Sequence, residues 1–215
     1  MNTHIPGTQS HSIYFGEEHE LLRAQIRRFV DEEIKPRALQ WEQDGMVPRD
    51  VLRKMGELGF LGIRYAEVYG GSDMDTLATV VLAEELGRST FSGVAITVLV
   101  HTDMASVHLY NSDSAELKDR FMPDVIAGKK IVAVGVTEPG AGSDVKGIRT
   151  TARREGDSYV LNGSKLYITN GVHADLYCIA AVSSPDARPS QRLSMLLVEK
   201  GTPGFRVGRA LDKQG

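Results

Sequence analysis

Ile131-Val132-Ala133-Val134-Gly135-Val136, entered from Gly128-Lys129-Lys130, is where the pattern of the chain changes. Upstream, apolar residues recur every three or four positions, the period of a helix with one buried face. From here on they alternate in short β-branched runs set between turn residues, the period of a strand. Leu22, Ile26, Phe29, Val30 and Ile34 form one helical stripe, which Pro36 is expected to interrupt. A second helix is expected after Pro48, stopping near Gly59, where a missing Cβ suits the left-handed C′ position. Tyr69-Gly70-Gly71-Ser72 reads as a turn. Thr76 is expected to cap a helix through Leu86 that Gly87 closes, and another helix runs from about Gly93 to Tyr110. A last helix, residues 115–127, carries Pro123 and ends at Gly128. Downstream, strands are expected at 131–136, 148–153, 159–162, 165–169, 176–182, 193–198 and 205–209. Turn signals separate them at Glu155-Gly156-Asp157, Asn162-Gly163, Asn170-Gly171 and Gly201-Thr202-Pro203-Gly204.

Strands without intervening helices predict an antiparallel barrel or sandwich. The fold class is therefore α+β and multidomain. A flexible N-terminus of residues 1–13 precedes an all-α helical domain of residues 14–130, and residues 131–215 form a β-domain.

Composition narrows the function. The 215 residues carry 25 Lys+Arg against 28 Asp+Glu, a net charge of −3, with 41% hydrophobic and 25% charged residues. That is a soluble globular composition, without the basic excess of a nucleic-acid or membrane-surface binder. A single cysteine, Cys178, allows no internal disulfide and reads as a buried structural thiol in the apolar run 176–182. The first ten residues, MNTHIPGTQS, have neither the cationic nor the apolar region of a targeting signal, and no apolar stretch approaches the ~18 residues of a membrane span. A reducing, cytoplasmic setting is the expectation.

Two segments carry the chemistry. In Val134-Gly135-Val136-Thr137-Glu138-Pro139-Gly140-Ala141-Gly142-Ser143-Asp144, a strand enters a loop of small residues with hydroxyls at Thr137 and Ser143 and unobstructed backbone amides. Such a loop suits an anionic or carbonyl-rich ligand, or is a plain turn. It is not a dinucleotide fingerprint, because Val145 stands at the third glycine position and the sequence that follows is β in character. In the second segment, Asn162-Gly163-Ser164-Lys165-Leu166-Tyr167-Ile168-Thr169-Asn170-Gly171, strand alternation would put Leu166 and Ile168 on one face and Tyr167 and Thr169 on the other. Taken alone, that face reads as a half-exposed strand surface. His101, His108 and His173 lack ligand spacing, so no metal site is expected. Glu84-Glu85 and Asp31-Glu32-Glu33 read as solvated helix faces.

In combination, TEPGAGSD at 137–144 and NGSKLYITNG at 162–171 resemble the acyl-CoA dehydrogenase family, supported by AEVYGG at 66–71, AEELGR at 83–88 and KGTPGFRVGR at 200–209. The likeness spans about residues 14–215 and is nearest to the long-chain and bacterial general members. It implies an FAD-dependent oxidoreductase that converts acyl-CoA thioesters to trans-2-enoyl-CoA in fatty-acid or branched-chain acyl oxidation. By position, the flavin contacts would fall on Val134, Val136, Thr137, Gly142, Ser143, Tyr167, Ile168 and Thr169, and Ser143 would also meet the pantetheine arm of the substrate. Thr137 would bond the pyrimidine side of the isoalloxazine and Thr169 its N5 region. Tyr167 stands where the family commonly has Trp. Glu138 is not at the family's catalytic position and is expected to be structural. The family's catalytic glutamate and C-terminal helical domain would lie beyond Gly215, so the β-domain is expected to be incomplete and the 215 residues to supply no catalytic residue. The resemblance further implies electron transferring flavoprotein as acceptor, a homotetramer or homodimer at full length, and a cytoplasmic or, in a eukaryote, mitochondrial matrix location. An acyl-CoA oxidase, a flavin monooxygenase, or a non-catalytic assembly or ligand-binding fragment are the alternatives on this scaffold.

Overall fold

The computed structural model describes residues 13–211 and Lys213, so nearly all of the expected N-terminal segment 1–13 lies outside the described residues. Helix α1 (Glu17–Phe29) opens with Glu17, Glu18 and Glu20 and closes with Arg27 and Arg28, charges matched to the helix dipole. It continues through a π-helical turn, Val30–Ile34, into α2 (Lys35–Asp44). Pro36 therefore does not interrupt the helix. Lys35 N–H reaches back five residues to the Val30 carbonyl, and in the widened turn Pro36 occupies the first turn of α2, where a missing N–H is tolerated.

Helix α3 (Arg49–Glu57) ends as its glycine suggests. Gly59, at φ +80°, donates to Gly56 C=O at 2.9 Å, and Phe60 donates to Met55 C=O at 2.9 Å, a Schellman closure with Phe60 and Met55 both buried. Helix α4 (Thr76–Gly87) is capped one residue earlier than expected, by the Asp75 carboxylate accepting from Ala78 N–H at 3.0 Å, and Gly87 lies inside its last turn. Helix α5 (Ser92–Leu99) passes through a second π-helical turn, Val100–Ala105, into α6 (Ser106–Tyr110). Helix α7 (Ala115–Ile126) is capped by Ser114 and closed by Gly128 at φ +65°.

Glu85 corrects the expectation of a solvated acidic face on α4. It is 1% exposed and is gripped by Arg27 at 3.0 and 2.8 Å, Arg23 at 3.3 Å and Arg88 at 3.2 Å. Burial alone would raise its pKa, but the arginines outweigh burial and lower it. The packing of α1 on α4, which no local pattern reports, brings Arg23 and Arg27 over this carboxylate.

Five strands form one mixed, open sheet: β1 (Val132–Gly135), β2 (Thr151–Glu155), β3 (Ser158–Asn162), β4 (Leu176–Val182) and β5 (Leu193–Glu199). β2 and β3 are an antiparallel hairpin about Gly156-Asp157, and β5 lies antiparallel to β4 along its whole length. β1, however, runs parallel to β4 in the register Val132↔Leu176 to Gly135↔Ile179, and β2 meets the end of β4 in parallel at Thr151↔Val182. The expected all-antiparallel barrel or sandwich is thus corrected. Parallel pairing needs a long crossover, and here residues 136–175 supply it with a hairpin and loops in place of a helix. Residues 165–169 and 205–209 are not strands. The first is bent by positive φ at Tyr167 (+58°) and Asn170 (+63°), which also removes the expected Leu166/Ile168 and Tyr167/Thr169 faces.

β1 and β4 are buried on both faces. Ala133, Tyr177 and Ile179 join the core built by α1 to α5, whereas Val132, Leu176 and Cys178 join Val100, Leu109, Phe121, Met122 and Val125. Cys178 is buried as expected, its Sγ near Ala105 C=O at 3.5 Å, and burial pushes its pKa up to about 12.

Polar contacts also tie the helices to the sheet and its loops. Arg49 pairs with Asp175 at 2.9 and 3.0 Å, and Asp175 accepts from Ile131 N–H at 2.8 Å. Asn170 donates to the carbonyl of Thr97 at 3.0 Å. His101 Nδ1 accepts from Val132 N–H at 3.2 Å, so Nε2 carries the proton and donates to Val125 C=O at 3.1 Å.

Candidate functional site

The first motif leaves β1 as a tight two-residue turn. Glu138 N–H donates to Ala141 C=O at 2.8 Å and Ala141 N–H returns to Glu138 C=O at 3.1 Å, with Pro139-Gly140 at the tip. At Gly140 and Gly142 no atom lies within 4 Å of where a Cβ would stand, so the loop presents bare backbone to open space. Ser143 and Asp144 are exposed, and Asp144 caps the following 3₁₀ turn, Val145–Gly147, through Lys146 N–H at 3.1 Å. Val134, Val136 and Thr137 are half-buried.

Glu138 turns inward from this loop. Its carboxylate accepts from Arg149 N–H at 2.8 Å, Thr150 N–H at 3.0 Å, the Thr150 hydroxyl and Lys165 Nζ at 2.8 Å. Burial opposes its ionisation, yet these donors together hold its pKa at about 2. A carboxylate so saturated is a poor proton acceptor near neutral pH, and its role is to hold the loop.

The second motif lies against the first. Leu166 N–H donates to Thr137 C=O at 2.9 Å, and Lys165 Nζ donates to Val136 C=O at 3.0 Å as well as to Glu138. Gly163 lets the second motif lie close to Thr150, the residue that also binds Glu138, since a Cβ there would fall 2.3 Å from Thr150 Oγ1. Tyr167 follows in the left-handed region with its side chain outward, 62% exposed. Lys213 Nζ lies 5.2 Å from the centre of its ring. A bulky residue at positive φ is strained by about 1–3 kcal/mol, a cost characteristic of functional segments. Ile168 packs against the main core, Asn170 anchors the segment to α5, and Gly171 N–H closes on Ile168 C=O at 2.9 Å.

Tyr167, Ile168 and Thr169 line a groove of 1320 Å³ bounded by α2, the start of α5 and residues 202–211. Val134, Val136, Thr137, Gly142 and Ser143 do not line it; the first motif meets the second through main-chain and Lys165 contacts. The hydroxyls of Thr137, Ser143 and Thr169 take no part in those contacts. Sequence reasoning missed Lys165, read as an ordinary strand residue, and Asn170, read as a turn. The signal available for Lys165 was its place as the one charged residue of the second stretch, facing a first stretch whose charges, Glu138 and Asp144, are both acidic.

Helices thus pack on both faces of a mixed sheet, and a small-residue loop is held by Lys165 and Leu166 next to an outward aromatic, Tyr167. The chain belongs to the acyl-CoA dehydrogenase family: the acyl-CoA dehydrogenase N-terminal domain matches residues 16–129 and the middle domain residues 133–215. It is 43% identical over 202 residues to the mitochondrial long-chain specific acyl-CoA dehydrogenase of Mus musculus, covering 94% of this chain and 46% of that protein. The crystal structure of an acyl-CoA dehydrogenase from Geobacillus kaustophilus superposes with a TM-score of 0.85 at 41% identity, covering 93% of this chain and 52% of that one. A glutaryl-CoA dehydrogenase from Mycobacterium smegmatis, in complex with FADH2, superposes with a TM-score of 0.83 at 31% identity, covering 92% and 49%. The chain spans about half the length of the relatives it matches. Among the described residues, no helix is long and apolar enough to cross a membrane.

Proposed function

We propose that this chain forms the flavin-facing part of an FAD-dependent acyl-CoA dehydrogenase. The observation that carries the reading is the docking of the two motifs, Leu166 N–H on Thr137 C=O at 2.9 Å and Lys165 on Val136 and Glu138 at 3.0 and 2.8 Å. Docked in this way, the residues present fit a planar, carbonyl-rich ring. Gly140 and Gly142 leave backbone uncovered, Thr137, Ser143 and Thr169 hold hydroxyls outside the docking contacts, and Tyr167 offers a flat face.

Val134, Val136, Thr137, Gly142 and Ser143 would hold FAD from the first motif, and Tyr167, Ile168 and Thr169 from the second. Bound there, the flavin supplies the hydride-accepting chemistry that makes a trans-2-enoyl-CoA from an acyl-CoA thioester. The chain's own work is placement. Thr137 is assigned to the pyrimidine edge and Thr169 to the N5 side, where hydroxyl donors stabilise developing negative charge. Tyr167 would pack beside the ring, and Ser143 would also meet the pantetheine arm. Glu138, held at about 2, is not the base that takes the α-proton; the reading puts that carboxylate outside these 215 residues. It also carries electron transferring flavoprotein as acceptor, a homotetramer or homodimer, and a cytoplasmic or mitochondrial matrix setting.

Titration of the chain with FAD, followed by flavin fluorescence and by melting temperature, tests the reading. Binding raises the melting temperature with ligand concentration. Unchanged fluorescence together with an FAD-independent melting temperature would refute it.

A further inference from the structure

The geometry points to Lys165 as the positioning residue that sets the spacing between Thr137 on one motif and Tyr167 and Thr169 on the other; this deepens the flavin reading above and rests on it. The ammonium grips the neighbours on both sides of Thr137, the Val136 carbonyl at 3.0 Å and the Glu138 carboxylate at 2.8 Å. The next residue, Leu166, takes Thr137's own carbonyl at 2.9 Å. Three consecutive residues of one motif are thus held by two of the other, and the central one, Thr137, is held by its main chain, which leaves its hydroxyl out of the docking contacts.

Two further features make this a built device. The side chains of Lys165 and Glu138 are 9% and 7% exposed, so the pair is screened from water and its geometry is held more firmly than a surface ion pair. The lysine stem crosses β1 over Gly135, where a Cβ would stand 3.3 Å from Lys165 Cγ and 2.7 Å from Ile179 Cδ1. Gly135 therefore leaves the room the stem needs. Glu138 in turn is anchored to Arg149 and Thr150, just before β2, so the clamp is referenced to the sheet. Lys165 Nζ takes no part in the strand pairings, and Lys165 is not among the residues of the main core.

The experiment compares the parent chain with Lys165→Met and with Lys165→Met/Glu138→Gln, the second leaving no buried carboxylate without its cation. Amide exchange of Leu166 reads the clamp without any flavin; FAD affinity and the visible circular dichroism of the bound flavin read its purpose. In both variants Leu166 exchange is expected to speed up by about 10-fold or more while amides of residues 176–182 keep their protection, FAD affinity to fall by about 10-fold, and the flavin dichroism to change shape. Parental Leu166 exchange in the double variant would overturn the clamp. Faster exchange with FAD affinity within about twofold of the parent would overturn its positioning role. A double variant without native far-UV dichroism would show the pair to be needed for the fold, which also overturns it. A parent that binds no FAD sinks the flavin reading, and this proposal with it, by a result distinct from the other three.

Discussion

Lowering the pH from 7 to 5 should weaken the junction between helices and sheet through one side chain. His101 is 1% exposed and bonded as a neutral imidazole, accepting from Val132 N–H and donating to Val125 C=O. Protonation would put a second N–H at Nδ1, facing the Val132 N–H, and would bury a charge. Burial lowers its pKa from 6.5 to about 4. The unfolded chain therefore binds this proton more readily than the folded one between those values. The stability His101 contributes is full above pH 6.5 and is lost as pH falls toward 4. At about 1.4 kcal/mol per pH unit the whole loss is about 3 kcal/mol, and about 2 kcal/mol of it falls by pH 5. That is a sizeable share of the roughly 5–15 kcal/mol that holds a domain folded. The window lies above the loss from Glu138, whose lowered pKa of about 2 costs stability only as pH falls below the ordinary 4.5. His108 and His173 also have pKa values lowered by burial, and for His173 by Lys200 and Arg49 as well, so the measurement must be a difference. Urea unfolding at pH 7 and pH 5 should show a drop about 2 kcal/mol smaller in His101→Gln than in the parent. Equal drops in the two proteins would refute the assignment.

Gly128→Ala should cost more than about 2 kcal/mol in urea unfolding, because the residue sits at φ +65° and a Cβ would fall 2.3 Å from the Leu52 carbonyl; parental stability would contradict that contact. Thr169→Val should weaken FAD binding or shift the flavin potential by an amount equivalent to about 1 kcal/mol, and a variant matching the parent in both would remove Thr169 from the site. The 215-residue polypeptide, supplied with FAD and an artificial electron acceptor, should show no acyl-CoA dehydrogenation, and turnover by a sample of verified mass would mean that a base has been overlooked.

What could be read from the sequence follows the range of each interaction. Gly59 and Gly128 marked helix ends because a left-handed C′ residue is a local requirement, and residues 176–182 were read as a strand because both neighbours in the sheet favour the same apolar run. The parallel pairing of β1 with β4 was hidden, since period-2 alternation looks the same in either direction of pairing. Pro36 was misread because a π-helical turn two residues earlier removes the clash that usually ends a helix. Glu85 looked solvated because the arginines that bury it come from another helix. At the site, the motif pair was legible as composition, but the left-handed turn at Tyr167 and the grip of Lys165 on residues 136–138 depend on two segments meeting in space.

The parallel partnership of β1 and β4 also imposes an order on synthesis. Ala133 on β1, with Tyr177 and Ile179 on β4, completes the core that α1 to α5 build, yet β4 leaves the ribosome only after the whole of residues 136–175. At ~5–20 residues per second, the helices wait on the order of several seconds with that apolar face uncovered. During this interval the nascent helical half is exposed to association through that face, so the pace of synthesis between residues 131 and 182 bears on how much chain reaches the folded state.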